Sequence, residues 1–234
     1  MNRRILFFFG LFTTVALLAV LWILIYKPFK TEKLEYLPVR FEDFSIPAKS
    51  HGIWPFGARG QDSSSHNEGH GGWDFELKKG SKVYAVSDLL IDEIHDGDHQ
   101  FGSEALRVIE ATTRLQGKLF HITYHSVINI ENDVTEGAII KAGSPLAEAA
   151  FPMDNNCVST HFGIFPPNDS IGSCPTDYFS ENAKQELEKI LKISIDVETG
   201  KPYPSACIGK ISREIFLRNY PEKKKYLRGG EQFE

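Results

Sequence analysis

Residues 82–125 read KVYAVSDLLIDEIHDGDHQFGSEALRVIEATTRLQGKLFHITYH, and this stretch decides the fold. Lys82–Val86 is rich in β-formers. Leu89–Ile94 and Ala105–Glu110 are further short runs with imperfect alternation, and Phe120–His125, Ile139-Ile140 and Phe162–Phe165 continue the series. Turn residues separate them: Lys79-Gly80, Asp96-Gly97-Asp98, Gln116-Gly117, Glu136-Gly137 and Ala142-Gly143. Closely spaced strands with no helices between them predict an all-β core of antiparallel sheets, sandwich or barrel-like.

Downstream, one amphipathic helix stands out. Ser180 is a good N-cap, and Ala183, Leu187, Ile190 and Leu191 form a single apolar stripe. Cys174 and Cys207 bracket this helix, so a disulfide pinning its two ends is the preferred pairing; Cys157 with Cys174 is the rival. Three cysteines suit an oxidising compartment and leave one unpaired. The cluster Lys223-Lys224-Lys225 reads as a solvated tail.

Upstream, Ile5–Tyr26 carries no charge over 22 positions. A helix of that length is about 33 Å long, enough to cross a hydrocarbon core of about 30 Å. Arg3 and Arg4 precede it and place the N-terminus in the cytoplasm. A cleaved signal peptide is the competing reading, but the segment ends in bulky Trp22–Tyr26 without a small-x-small site, which favours a retained anchor. The expected organisation is a transmembrane helix in 1–26, a Pro-interrupted stalk over 27–50, and an extracytoplasmic domain over 51–234. This domain divides into a β core of about 66–165 and a helical extension of about 175–234. The expected location is the cell (inner) membrane, single-pass, with the domain on its outer side.

Of 234 residues, 26 are Lys or Arg against 31 Asp or Glu, a net charge of -5. That balance argues against non-specific nucleic-acid binding, which needs clustered cationic surface. Aromatic content of 12% excludes a disordered chain.

The chemistry sits in His66-Asn67-Glu68-Gly69-His70-Gly71-Gly72-Trp73-Asp74-Phe75. Two adjacent glycines disfavour a helix by roughly 1 kcal/mol each, so a loop running into a strand brings His70 and Asp74 together. In Phe120–His125, period two puts Phe120, Ile122 and Tyr124 on one face and His121, Thr123 and His125 on the other. His161 opens a third apolar strand. Two His and one carboxylate suit tetrahedral zinc with one open position.

On these motifs the chain resembles the lysostaphin-type zinc metalloendopeptidases, which cut peptidoglycan peptides. His70-Gly71-Gly72-Trp73-Asp74 fits the family's H-x-G-x-D. Phe75–Val86 is similar to its strand leading into G-x-x-V-x-A, and Glu136–Ala147 to its later hairpin. The resemblance covers roughly residues 66–165. It implies one Zn²⁺ held by His70, Asp74 and His161, with His125, which matches the family's Y-x-H histidine, as acid/base or oxyanion stabiliser. His121, Ser159 and His66 are candidates for supporting or substrate contacts. Two departures stand out: Ser159 occupies the first position of the family's H-x-H, and Tyr124 directly precedes His125 where the family has one residue between. The implied function is a membrane-anchored metalloendopeptidase acting on peptidoglycan peptides. The alternative is a catalytically weakened zinc-binding module that recognises cell wall or activates a partner wall hydrolase.

Overall fold

The computed structural model describes residues 30–44, 52–58, 70–101, 104–153, 157–167, 173–196 and 199–209. In chain order the strands are β1 (Lys30–Thr31), β2 (Ile53–Trp54), β3 (Trp73–Lys78), β4 (Lys82–Tyr84), β5 (Leu89–Phe101), β6 (Glu104–Leu115), β7 (Lys118–Ile128), β8 (Ile139–Ile140), β9 (Pro145–Ala149), β10 (Phe151–Pro152) and β11 (Cys157–Phe165). Helix α1 (Glu181–Ile193) follows, then the small ribbon β12 (Ile195–Asp196) and β13 (Lys201–Pro202). Strands β1 to β11 belong to one sheet whose main path runs β2-β3-β11-β7-β6-β5-β8. Every pairing in it is antiparallel except that of β1 with β6. Among the described residues, the antiparallel β core and the C-terminal amphipathic helix therefore match the sequence.

Alternation gives the central strands two chemically different faces. Trp73, Phe75 and Leu77 of β3, Ile122 and Tyr124 of β7, and Phe162 and Ile164 of β11 point into a buried core. Trp73 stacks on Phe179 at 5.6 Å, and its indole N–H donates to the Ala206 carbonyl. Ala183, Leu187 and Ile190 of α1 join the same cluster. Ser180 caps the helix by accepting the Ala183 N–H. A disulfide joins Cys174 to Cys207, the pairing that pins the segment around the helix, and Cys157 is a buried cysteine outside this disulfide. Tyr124 is a core residue: burial raises its phenol pKa, and its hydroxyl accepts the Val86 N–H.

Two expectations are corrected. Residues 30–44, read as part of the stalk, lie against the sheet: Leu34, Leu37, Val39 and Phe44 are buried, and β1 pairs with β6. Pro38 breaks any long element there, but the apolar side chains on either side of it find the core all the same. Asp96-Gly97-Asp98 is not a turn but an interior part of β5, and the hairpin to β6 closes only after Phe101. A register shift between Asp96 and Gln100 absorbs this stretch. Gly97 runs so close to β6 that a Cβ there would lie 3.0 Å from the Leu106 carbonyl.

The anticipated transmembrane segment, residues 5–26, lies outside the described residues. Among those described, no helix is long and apolar enough to cross a membrane.

Candidate metal centre

The polar face of the sheet assembles the site from three adjacent strands. In register, Asp74 of β3 lies opposite His161 of β11, and His161 lies opposite His125 of β7. His70 reaches the same point from the turn before β3. Its main chain is fixed there from both sides, since its N–H donates to Ala58 O and its carbonyl accepts from the Gly57 N–H.

Asp74 Oδ1 lies 2.8 Å from His161 Nδ1 and 3.3 Å from His70 Nε2, and the two histidine nitrogens are 3.1 Å apart. Ligand bonds of about 2.0–2.1 Å around a tetrahedron put neighbouring ligand atoms about 3.3 Å apart. The three atoms thus already have the mutual spacing of a zinc ligand set, and this trio is the one His/Cys/Asp/Glu group close enough to hold a metal among the described residues. His70 Nδ1 donates to the Pro55 carbonyl at 3.2 Å, which leaves the Nε2 lone pair facing the other two atoms. Metal-binding histidines characteristically have their second nitrogen fixed in this way.

Electrostatics support the same reading. Burial pushes the Asp74 carboxyl up, but the His70 charge and hydrogen bonds from His161 and His70 outweigh it and hold the group well below the ordinary carboxylate value. Burial pushes the His70 imidazole down, and the Asp74 charge and hydrogen bond carry it above the ordinary histidine value. A carboxylate and two imidazoles, His70 buried and the other two half-buried, drawn to one spot make a site that a divalent cation fits.

Gly72 is required by this packing. A Cβ there would collide with the Phe162 carbonyl and come within 2.7 Å of His161 Nε2. Trp54 stacks on the His70 ring with centroids 4.9 Å apart and planes at 17°.

The other expected residues fall as follows. His125 has its ring 5.3 Å from that of His161, at 76°. Just after it β7 is bulged: Ser126 adopts φ 61°, and the register steps from Val108–His125 to Arg107–Val127. Bulges of this kind re-aim side chains beside sites. His121 shares the face but turns away from the trio, with its ring nitrogens 3.9 Å from Asp92 and 3.6 Å from Glu110. Ser159 is 7% exposed and lies across from buried Glu76. His66 lies outside the described residues.

Sequence reading missed Trp54, Pro55 and Glu76. Glu76 was findable, because period two puts it on the face of Asp74. Trp54 and Pro55 carry no local signal, being brought to His70 only by the pairing of β2 with β3.

No protein-family model and no curated protein matches this chain. Solved structures similar to it include a zinc-containing peptidase from Vibrio cholerae, at 19% identity and a TM-score of 0.40. The match covers 57% of this chain and only 37% of that one. LytU is similar at 18% identity and a TM-score of 0.41, over 63% of this chain and 96% of that one. The catalytic domain of lysostaphin from Staphylococcus simulans is similar at 20% and 0.38, over 53% and 88%. These neighbours are of the lysostaphin type that the motifs resemble, but at such TM-scores the likeness carries no argument, and the case for a metal centre rests on the geometry of its residues.

Proposed function

We propose that the chain is a membrane-anchored, zinc-dependent metalloendopeptidase that hydrolyses peptide bonds in peptidoglycan on the outer side of the inner membrane. The observation that carries this reading is the convergence of His70 Nε2, Asp74 Oδ1 and His161 Nδ1 within 2.8–3.3 Å. The H-x-G-x-D motif supplies the substrate class, and the uncharged run 5–26 supplies the anchor.

In this reading His70, Asp74 and His161 hold one Zn²⁺. When bound, zinc polarises the scissile carbonyl and makes water a nucleophile at neutral pH. Asp74 contributes the negative charge that balances the cation. Pro55, through its carbonyl, fixes the His70 tautomer. His125, on the neighbouring strand, takes the proton from the attacking water or steadies the developing oxyanion. The buried core behind Trp73 and Phe162 keeps β3 and β11 in register, so the ligands stay aligned.

A second reading, a zinc-holding module that binds wall or activates a partner hydrolase without cutting, is favoured by Ser159. A hydroxyl there cannot do the acid–base work of an imidazole at neutral pH.

The test uses the full chain in detergent, with and without chelator. Zinc is measured in the same preparations that are assayed for soluble peptides released from peptidoglycan. One zinc per chain with chelator-sensitive release supports the enzyme. Bound zinc with no release supports the module, and absence of zinc sinks both.

A further inference from the structure

The polar face continues past the metal centre into a second group of charged side chains. Glu110, whose side chain is 9% exposed, has His95 Nε2 3.5 Å from one oxygen and His121 Nε2 3.6 Å from the other. Asp92 approaches His121 Nδ1 at 3.9 Å and accepts from Thr112 Oγ1. A register shift between Ile91 and Glu93 marks Asp92 as the extra residue of a bulge, which turns its carboxylate onto this face. Next to Glu110 in register is Thr123, 2% exposed, and its Oγ1 has no hydrogen-bond partner among the described residues. A buried hydroxyl left unsatisfied is costly, and each such group calls for an explanation. That oxygen faces Gly163, where a Cβ would lie 2.8 Å away, and the ring edge of Phe165 covers the gap.

The chemistry narrows the ligand. These groups are too widely spread for a metal ion, because among the described residues only the His70 trio meets that spacing. Two carboxylates and an orphan acceptor suit a larger cation with several donors, and an ammonium group has three and no acceptor. Phe165, packed beside His121 at 5.9 Å, gives a methylene stem an apolar wall, and its ring must swing aside for an ammonium to reach Thr123.

We propose that Glu110, Asp92 and Thr123 form a subsite for the ammonium group of a peptide substrate. The proposal rests on the peptidase reading for its place in catalysis. Along β7, Thr123 and His121 are two and four residues from His125, roughly 7 and 13 Å. An extended peptide advances about 3.3–3.6 Å per residue. The subsite therefore selects a cationic residue two to four positions from the bond that is cut.

The test measures binding to the full chain in chelator, so that it does not depend on the metal or on turnover. The probes are alanine-based hexapeptides carrying one lysine, matched with norleucine counterparts. Lysine peptides bind wild type about tenfold more tightly, the order of one charge-assisted hydrogen bond. That preference disappears in Asp92→Asn and Glu110→Gln and weakens in Thr123→Val. Asp92 is partly exposed, so Asp92→Asn remains informative if a buried variant fails to fold. Equal binding of both probes, or a preference that survives Asp92→Asn and Glu110→Gln, overturns the proposal. Lysine selectivity without any zinc-dependent cleavage keeps the subsite and removes the peptidase reading. Cleavage without selectivity does the reverse.

Discussion

Trp54 lies almost flat on the His70 ring, 4.9 Å between centroids, while the next residue's carbonyl accepts from the other side of that imidazole's chemistry, Nδ1. Trp54, the last residue of β2, and Pro55 just after it thus fix both the plane and the tautomer of a candidate metal-ligating histidine. Losing such an outer partner typically costs 10–100-fold in metal affinity. Trp54→Ala is expected to weaken zinc binding about tenfold in chelator competition, with Trp54→Phe recovering most of it. Equal affinity in all three proteins would show that the stack is only packing.

Gly72 makes a sharper prediction. In Gly72→Ala the new methyl meets the Phe162 backbone carbonyl, which is held in β11 and cannot give way like a side-chain end. Overpacking of this kind costs about 1–3 kcal/mol. The variant should melt several degrees lower and lose zinc, because the same methyl pushes on His161. Full zinc occupancy at an unchanged Tm would refute the close approach.

Glu148 links stability to acid. Its Oε2 accepts from Asn129 Nδ2 at 2.9 Å and its Oε1 lies 3.1 Å from Lys82 Nζ. The Asn129 hydrogen bond, opposed by partial burial and aided by Lys82, holds the carboxyl below its ordinary value. A depressed folded-state pKa gives stability that is fully present above the unfolded value, near 4.5, and is lost as pH falls through the folded one. Wild type should therefore be more stable than Glu148→Gln at pH 7, by about 0.5–1 kcal/mol. The gap in Tm should narrow as pH falls below about 4.5 and close once the carboxyl is protonated in the folded state as well. A gap independent of pH would show that the carboxylate's charge contributes nothing to it.

The disulfide closes a loop of 33 residues around α1. Chain-entropy arguments give such a crosslink about 3–4 kcal/mol. Reduction should lower the Tm accordingly and loosen Phe179 from Trp73. Cys157, being buried, should react with thiol reagents only after unfolding. Rapid labelling of a native, unreduced sample would contradict that burial.

Much of this was legible in the sequence, and the physical reason is locality. The strand Phe120–His125 declares its two faces by alternation, and His70 and Asp74 lie within one motif. What escaped is non-local. Trp54 is sixteen residues from His70 along the chain, and only pairing of β2 with β3 joins them. Residues 30–44 look like a linker because Pro38 sits in a mixed, charged stretch with no clean period, yet Leu34 and Phe44 are fully packed. Gly97 carries the signature of a turn, and only the neighbouring strand reveals that it serves a close approach.

His125 and Ser159 divide the two functional readings. His125→Ala should leave zinc content unchanged, since it is not one of the three convergent ligands. If the chain is a hydrolase, the same change should cut peptidoglycan hydrolysis by about 10²–10⁴, the usual contribution of one acid–base group. Ser159 lies on the face of His161, two residues away and opposite Glu76. An imidazole introduced there stands beside the metal ligands with a carboxylate across from it, so Ser159→His should raise the hydrolytic rate. Filling this buried position will cost about 1–3 kcal/mol of stability, so rates must be compared at equal folded fraction. A rise in Ser159→His from a wild type with no activity would mean that the chain holds zinc in a scaffold that has lost one catalytic group. A fall in Ser159→His from an active wild type would mean that the serine, with Glu76 behind it, already belongs to a working site.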